Sequence, residues 1–143
     1  MKLKIFIFLG IILFFHIGCG KKLNKTYNYT PYDEIKVEIN LRKLKAHPKH
    51  KSVFLYFTFA VENSSAKNVY FNCGNIKAQL NEHINEFTYY DSLASVEPKT
   101  EELKRGNSIY NLYFVFAEEV GTKEIQNFEI QDFGITFDVK RIE

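Results

Sequence analysis

Hydrophobic and polar residues alternate with a period of two along most of this chain. Ile35, Val37, Ile39 and Leu41 are separated by polar or charged residues, which predicts a strand with one buried face and one wet face. Residues 53–62 are apolar on both faces and rich in β-branched and aromatic side chains. That composition is typical of a central strand covered on both sides, or of one with one face packed and the other in contact with an aromatic neighbour.

The same alternation continues towards the C-terminus, in short runs separated by Asn, Ser, Gly and Pro. Gly74 is expected to break one of these runs, and residues 91–107 are expected to form a long connection. A bulge is predicted near Asp132, and Gly134 fits a bulge or a close approach of two strands. The sequence has no convincing amphipathic helix. The pattern therefore predicts an all-β domain over residues 34–143, an antiparallel sandwich of seven or eight strands.

The first eighteen residues follow a different pattern. Lys2 and Lys4 form a short positive region, and an unbroken apolar run follows over residues 5–15. A run of this length matches the core of a signal peptide and falls short of the roughly 20 residues that a transmembrane helix needs. Residues 1–18 are therefore predicted to be a cleaved signal peptide, with an uncleaved membrane anchor as the alternative.

The tetrad His16–Cys19 resembles the lipobox of bacterial lipoproteins, in which the cysteine is lipidated and becomes the mature N-terminus. It departs from the usual pattern at His16, where Leu is more common. Residues 20–22 are similar to the start of many lipoproteins from Bacteroidota-type bacteria. The resemblance implies that Cys19 carries lipid and that the protein is held at a membrane of the cell envelope. Because Gly20 is not the Asp that retains lipoproteins at the inner membrane, the outer membrane is favoured.

Residues 19–33 are predicted to be the lipidated cysteine followed by a short polar tether. The segment lacks apolar periodicity and is rich in Lys and Asn. Tyr27, Tyr29 and Tyr32 are unusual for a tether. Either they pack on the edge of the domain or they form an adhesive patch.

Composition and charge exclude several classes of protein. A length of 143 residues allows one domain, and a hydrophobic fraction of 45% is too high for a disordered chain. Removal of the signal peptide would leave 17 basic and 17 acidic side chains, so no nucleic-acid partner is expected. The two cysteines are too few for a disulfide scaffold. Cys73 would remain as a free thiol, with a disulfide to Cys19 as the competing possibility.

The runs at residues 57–71 and 96–116 resemble small immunoglobulin-like domains of bacterial envelope lipoproteins. In this chain, as in those domains, a strand ends in Asn-Ser turn residues, and a Pro- or Gly-containing loop precedes a long aromatic strand. The resemblance implies an immunoglobulin-like sandwich. The Cys…Trp…Cys core of antibody domains is missing from this chain, which has no Trp.

No catalytic constellation is evident, so the sequence predicts no enzyme and no cofactor. His47 and His50 have HxxH spacing, but Lys45 and Lys49 beside them would repel a cation, and a solvated basic loop is favoured over a metal site. The sequence contains no G-x-S-x-G, no H-E-x-x-H and no phosphate-binding glycine loop. Cys73 fits a buried small hydrophobe better than a nucleophile.

Asp91, Ser92 and Leu93 resemble the D-S/T-hydrophobic acceptor used for O-glycosylation in Bacteroidota envelope proteins. The resemblance makes Ser92 a candidate for modification. The alternative is an ordinary turn in which Asp91 caps a backbone amide.

The mature chain keeps nine Tyr and ten Phe, more than one sandwich core readily hides. Tyr combines a large ring with a hydrogen-bonding hydroxyl and suits partner recognition. The candidate partner-binding residues are Tyr56, Tyr70, Tyr89, Tyr90 and Tyr113. The alternative is that these rings form cross-strand ladders that only stabilise a sheet.

Together these features predict a lipid-anchored, non-enzymatic binding module of the bacterial envelope. Its partner would be a protein or a glycan, and an immunity or inhibitor lipoprotein is one specific version. A structural subunit of an outer-membrane assembly is the second hypothesis. A small hydrolase or metal-handling protein is the third, and the residue inventory does not support it.

Overall fold

The computed structural model describes residues 20–92, 97–122 and 124–138, and these ranges form an all-β structure. Every strand pairing in them is antiparallel, which confirms the predicted all-β, antiparallel class. The nine strands in these ranges are β1 Lys21–Tyr32, β2 Ile35–His47, β3 Ser52–Asn63, β4 Val69–Leu80, β5 His83–Ile84, β6 Phe87–Tyr90, β7 Glu101–Glu102, β8 Gly106–Ala117 and β9 Phe128–Phe137. Two short 3₁₀ turns lie at Pro48–His50 and Glu118–Val120.

The strands belong to two sheets. The larger sheet has five strands in the order β1-β2-β3-β8-β6. In the second sheet, β4 pairs with β9 along most of its length and with β5 and β7 near its two ends. Sequence neighbours such as β3 and β4 therefore lie in different sheets.

The core lies between the two sheets. The Phe59 ring from the five-stranded sheet packs on Phe71 of β4 at 5.2 Å between centroids, and Phe114 approaches Phe128 of β9 at 6.3 Å. Alternate residues of each long strand supply this core because successive side chains point to opposite faces of a sheet. The largest fully buried side chains are Phe57, Phe59, Phe71, Phe114, Phe116, Ile35, Ile39, Leu41, Leu44, Leu55, Ile76 and Leu80.

The apolar run at residues 53–62 forms the middle of the five-stranded sheet, as predicted. β3 pairs with β2 on one side and with β8 on the other through almost its whole length. Its inward residues are fully buried, while Phe54 and Tyr56 on the opposite face are half-buried against neighbouring aromatic rings. Both faces are apolar because one faces the core and the other carries aromatic side chains.

The polar segment predicted as a tether forms β1 instead. Tyr27 packs on Phe128 at 5.1 Å, Tyr29 on Phe133 at 5.3 Å and Tyr32 on Phe137 at 4.9 Å between ring centroids, so all three tyrosines of β1 contact β9. The tyrosines thus pack on the edge of the domain, one of the two alternatives drawn from the sequence. Tyr27 and Tyr29 are two residues apart, but grouping tyrosine with the polar residues around it concealed this alternation. Cys19 and residues 1–18 lie outside the described residues.

Gly74 does not break the strand in which it lies, in contrast to the expectation from the sequence. β4 continues through it with a register shift against β9 between Phe71 and Ile76. The side-chain oxygen of Asn72 accepts the backbone N–H of Gly74 at 2.9 Å within this irregularity. A second shift, where Asp132 and Ile130 oppose successive residues of β4, confirms the bulge predicted near Asp132.

Candidate binding surface

A set of aromatic rings covers part of the outer face of the five-stranded sheet. We call it the aromatic face, and it consists of Phe54 and Tyr56 of β3, Tyr113 of β8, and Phe87 and Tyr89 of β6. Tyr113 lies opposite Tyr56 on one neighbouring strand and opposite Tyr89 on the other. The ring centroids are 5.6 Å apart in both pairs. Phe54 stacks on Tyr113 at 5.0 Å with only 8° between the ring planes.

Strand alternation sends these rings outward. The residues on either side of Tyr113, Leu112 and Phe114, are fully buried in the core, so Tyr113 faces away from it. Most of the rings are half-buried against one another, whereas Phe87 at the sheet edge is 56% exposed. The result is an aromatic surface of mutually packed rings with one largely exposed ring at its edge.

Positive charge borders the aromatic face on the β2 side. The ammonium nitrogen of Lys43 lies 5.6 Å from the centroid of the Tyr56 ring, a cation–π geometry. Arg42 Nη2 donates to Asp91 Oδ2 at 2.8 Å and thereby links β2 to the residue that follows β6. A surface cavity of about 430 Å³ lies at this border of the aromatic face. It is lined by Lys22, Leu23, Arg42, Lys43, Tyr56 and Asp91.

The hydroxyls of Tyr56 and Tyr113 stay protonated at neutral pH. Burial raises the pKa of Tyr56, and the nearby Asp91 carboxylate raises it further. Burial likewise raises the pKa of Tyr113, with added contributions from Tyr89 and Asp91. Each phenol therefore offers both a hydrogen-bond donor and an acceptor to a ligand.

The structure brings together only three of the five tyrosines proposed from the sequence. Tyr70 lies on β4 in the second sheet, opposite Thr136 of β9. Tyr90 packs against the core, and its hydroxyl hydrogen-bonds the carboxylate of Glu101. Burial and this hydrogen bond raise the pKa of Tyr90.

The sequence analysis missed two rings of the aromatic face, Phe54 and Phe87. Each lies two residues from a tyrosine of the set, and side chains two apart share a face. That spacing was the available signal. Restricting the candidates to tyrosine excluded both phenylalanines.

His47 at the end of β2 and His50 in the turn that follows pack on the end of the aromatic face. The His47 ring lies 4.1 Å from Phe54 and 6.2 Å from His50 between centroids. Burial lowers the pKa of His47, and the positive charges of Lys45 and other neighbours lower it further. In residues 20–92, 97–122 and 124–138, no group of three or more His, Cys, Asp or Glu side chains is arranged to hold a metal ion.

Cys73 is fully buried in β4, where its sulfur lies 4.0 Å from the backbone oxygen of Thr88. Burial raises the pKa of the thiol to about 11, so the thiolate is scarce at neutral pH. Since the thiolate is the nucleophile, this environment gives an unreactive thiol.

Of the two candidate modification sites, Ser92 lies among the residues that the structure describes and Cys19 does not. Ser92 is exposed just beyond β6, next to the Asp91 that pairs with Arg42. Its O-glycosylation stays a prediction. Cys19, the predicted lipidation site, lies outside the described residues.

No family model, no curated protein and no solved structure matches this chain. Among the residues that the structure describes, no helix is both long enough and apolar enough to cross a bilayer.

Proposed function

We propose that this chain is a lipid-anchored protein of the bacterial cell envelope that acts as a non-enzymatic binding module through its aromatic face. In this proposal the two sheets form an immunoglobulin-like sandwich that displays the partner-binding surface. The partner is a protein or a glycan, and inhibition of a bound enzyme is one form that the function can take.

The observation that carries the proposal is the clustering of five aromatic rings on one solvent-facing sheet surface. Tyr and Phe are enriched at binding interfaces, and contiguous exposed apolar surface on a small domain marks a site of interaction. The neighbouring Lys43 and the Arg42–Asp91 pair provide a polar border. An aromatic centre with a polar rim is the common anatomy of a recognition surface.

The lipid anchor is proposed from Cys19 and its sequence context. β1 starts at Lys21, two residues after Cys19, and two residues of extended chain reach about 7 Å. A lipid on Cys19 would therefore hold the domain close to the bilayer. Replacing the cysteine (Cys19→Ala) is expected to leave the protein unprocessed or released, which detergent phase partitioning and intact mass would detect. Unchanged processing and partitioning of the variant would contradict the anchor.

The second candidate function, a subunit of an outer-membrane assembly, is favoured by one observation. β1 is a twelve-residue strand at the edge of the five-stranded sheet, and residues 28–32 within it carry no charge. An uncharged strand edge can pair with a strand of another chain. Pro31 removes one backbone N–H from this stretch, and Lys21, Lys22 and Lys25 oppose such pairing in the other half of the strand. Because half of the edge is charged, we rank this function second.

Crosslinking in native cells followed by affinity capture tests the proposed function. The wild-type chain is compared with Tyr113→Ala, and Tyr70→Ala serves as a matched control because it removes a half-buried tyrosine from the other sheet. We expect capture of a reproducible partner, lost in Tyr113→Ala and kept in Tyr70→Ala. Capture that is equal in all three proteins would overturn the role of the aromatic face. Loss on Asn28→Pro alone would favour assembly through β1.

A further inference from the structure

Positive charge is concentrated in two neighbouring segments of β1 and β2. Residues 20–32 and 39–51 contain eight of the 17 basic side chains that follow residue 18, and they contain no Asp or Glu. The rest of the chain after residue 18 has nine basic and 17 acidic side chains. The even overall balance of charge therefore conceals one strongly basic region.

The antiparallel pairing of β1 with β2 gathers these cations at one end of the five-stranded sheet. Lys21 pairs with Leu44, and the 3₁₀ turn Pro48–His50 follows the end of β2. Because β2 continues for three residues beyond Leu44, this turn projects about 10 Å past the start of β1. We call the region the basic tip, and it consists of Lys21, Lys22, Lys43, Lys45, Lys49 and Lys51.

The charges of the basic tip are available to a ligand. Four of its six side chains are exposed and the other two are half-buried. Among the residues that the structure describes, none of the six forms an ion pair. Two other cations nearby are engaged, since Arg42 pairs with Asp91 and Lys25 donates to the backbone oxygen of Ile125. The basic tip thus holds lysines whose charge the domain itself does not neutralise.

Acidic side chains at the same end of the domain belong to other elements. Glu118 and Glu119 follow β8, and Glu82 follows β4 in the second sheet. Glu82, Glu119 and Glu124 line a surface cavity of about 510 Å³. This end is therefore positive where β1 meets β2 and negative beside the second sheet. Only its positive side suits contact with an anionic surface.

The basic tip adjoins the proposed lipidation site. A Cβ on Gly20 would lie 2.6 Å from Lys43 Cε and 3.0 Å from the backbone oxygen of Leu44, so the chain packs against β2 up to the residue that follows Cys19. A lipid on Cys19 would bring these lysines to within roughly 8 Å of the bilayer surface, the distance over which a membrane attracts cations at physiological salt.

We propose that the basic tip docks on the anionic phospholipid headgroups of the bilayer that holds the anchor and so sets the orientation of the domain. This inference rests on the lipid anchor of the proposed function and adds a second membrane contact to it. A single acyl chain holds a protein only marginally, and a basic surface beside the chain makes the attachment stable. Lysine ammonium groups bind phosphate through charge-assisted hydrogen bonds.

The position beside Cys19 selects a bilayer over an acidic protein as the occupant. Once the lipid is inserted, contact between the basic tip and the headgroups is intramolecular. Such tethering gives the headgroups an effective concentration that a soluble partner would have to exceed. The cations are also spread over two strands and a turn, as a surface contact requires, and do not converge on one pocket.

Energy transfer from a fluorophore on the protein to acceptor-labelled headgroups tests the docking. The full chain is purified in detergent and reconstituted into vesicles of phosphatidylcholine, alone or mixed equally with phosphatidylglycerol. Ala46→Cys places the fluorophore on an exposed residue near the basic tip, while the buried Cys73 stays unlabelled. Asn107→Cys reports from the opposite end of β8, about 33 Å from Ala117 at the near end.

We expect transfer at Ala46→Cys to be stronger in the anionic vesicles than in the neutral ones, and transfer at Asn107→Cys to be no stronger. At high salt the Debye length falls to about 3 Å, so the increase at Ala46→Cys should disappear. Equal transfer in the two kinds of vesicle, or an equal increase at both reporters, would overturn the inference.

Two quadruple variants separate the basic tip from general electrostatics. Removing four lysines of the tip should weaken docking by at least about a hundredfold and abolish the increase at Ala46→Cys. That variant is Lys21→Gln/Lys22→Gln/Lys49→Gln/Lys51→Gln. The matched control removes the same charge from four exposed lysines elsewhere and should dock like the wild type. It is Lys67→Gln/Lys77→Gln/Lys99→Gln/Lys104→Gln. Equal loss in the two variants would contradict docking through the tip.

Flotation of the same vesicles distinguishes this inference from the proposed function. If the chain floats with both kinds of vesicle and transfer at Ala46→Cys is the same in both, the docking is wrong while the anchor stands. If the chain floats with neither, the anchor and the docking both fail. Tyr113→Ala should dock like the wild type, because the aromatic face is not part of the basic tip. Loss of docking in that variant would assign the membrane contact to the aromatic face and overturn the inference.

Discussion

Asn85 and Ala78 exchange two hydrogen bonds across the boundary between the sheets. The backbone N–H of Asn85 donates to the Ala78 oxygen at 2.9 Å, and the Ala78 N–H donates to Asn85 Oδ1 at 2.6 Å. The Asn85 amide nitrogen also donates to Thr88 Oγ1 of β6 at 3.0 Å and to the Ile76 oxygen of β4 at 3.3 Å. Asn85 is buried, so this side chain satisfies polar groups of β4 that water does not reach.

Replacing this amide with a leucine of similar size should therefore be costly. Asn85→Leu is expected to lower the free energy of unfolding by about 3 kcal/mol, since it leaves the Ala78 N–H buried without a partner. Gln131→Leu is the matched control, because that amide is exposed, and its effect should stay within about 0.5 kcal/mol. Urea unfolding of both variants measures the difference. Equal free energies of unfolding for the two variants would show that the buried hydrogen bonds of Asn85 contribute nothing to stability.

Gly134 provides a second test, at the point where β9 passes close to β4. Its φ is 65°, and a Cβ added there would lie 2.2 Å from the backbone oxygen of Asn72. Gly134→Ala is expected to cost about 3 kcal/mol or more, from backbone strain and from a contact that only backbone movement can relieve.

Gly106→Ala isolates the strain. Gly106 also has a positive φ, 106°, but open space surrounds the site of its missing Cβ. We expect a loss of about 1–3 kcal/mol there. Thermal or urea unfolding compares the two variants. A larger loss in Gly106→Ala than in Gly134→Ala would contradict the importance of the Asn72 contact.

The sequence was sufficient to predict those strands in which the local pattern of apolar residues reports which side chains are buried. β3 was predictable because β-branched and aromatic residues fill both of its faces, and the bulge near Asp132 followed from the change of phase there. β1 was missed because tyrosine was grouped with the polar residues around it. Its strand character depends on the distant rings of β9, including Phe128 and Phe133.

The candidate site shows the same limit. Tyr89 and Tyr90 are neighbours in the chain, yet one faces outward on the aromatic face and the other packs against the core. Alternation requires them to differ, but only the register of β6 against β8 decides which one joins Tyr113. Register between strands far apart in sequence is set by tertiary packing, which no local pattern reveals.

The tyrosines of β1 should contribute measurably to stability. Tyr29→Ala removes a half-buried ring that packs on Phe133, and a loss of about 2 kcal/mol is expected. Thr30→Ala, on the exposed face of the same strand, should change stability by less than about 0.5 kcal/mol. Unfolding in urea reports both values. A negligible effect of Tyr29→Ala would mean that this segment behaves as a tether after all.

The buried thiol of Cys73 predicts a pH dependence with a definite sign. Its pKa is raised from 9.0 to about 11 in the folded protein because burial disfavours the thiolate. Between these values the unfolded chain has released the proton while the folded chain retains it. Stability must then fall as the pH rises through this window. We expect the stability advantage of the wild type over Cys73→Ala to shrink by about 2 kcal/mol from pH 8 to pH 11. Urea unfolding of both proteins at the two pH values tests this, because titrations common to both cancel in the difference. A difference that does not change with pH would mean that the thiol titrates alike in the folded and unfolded chains, and that its burial does not disfavour the thiolate.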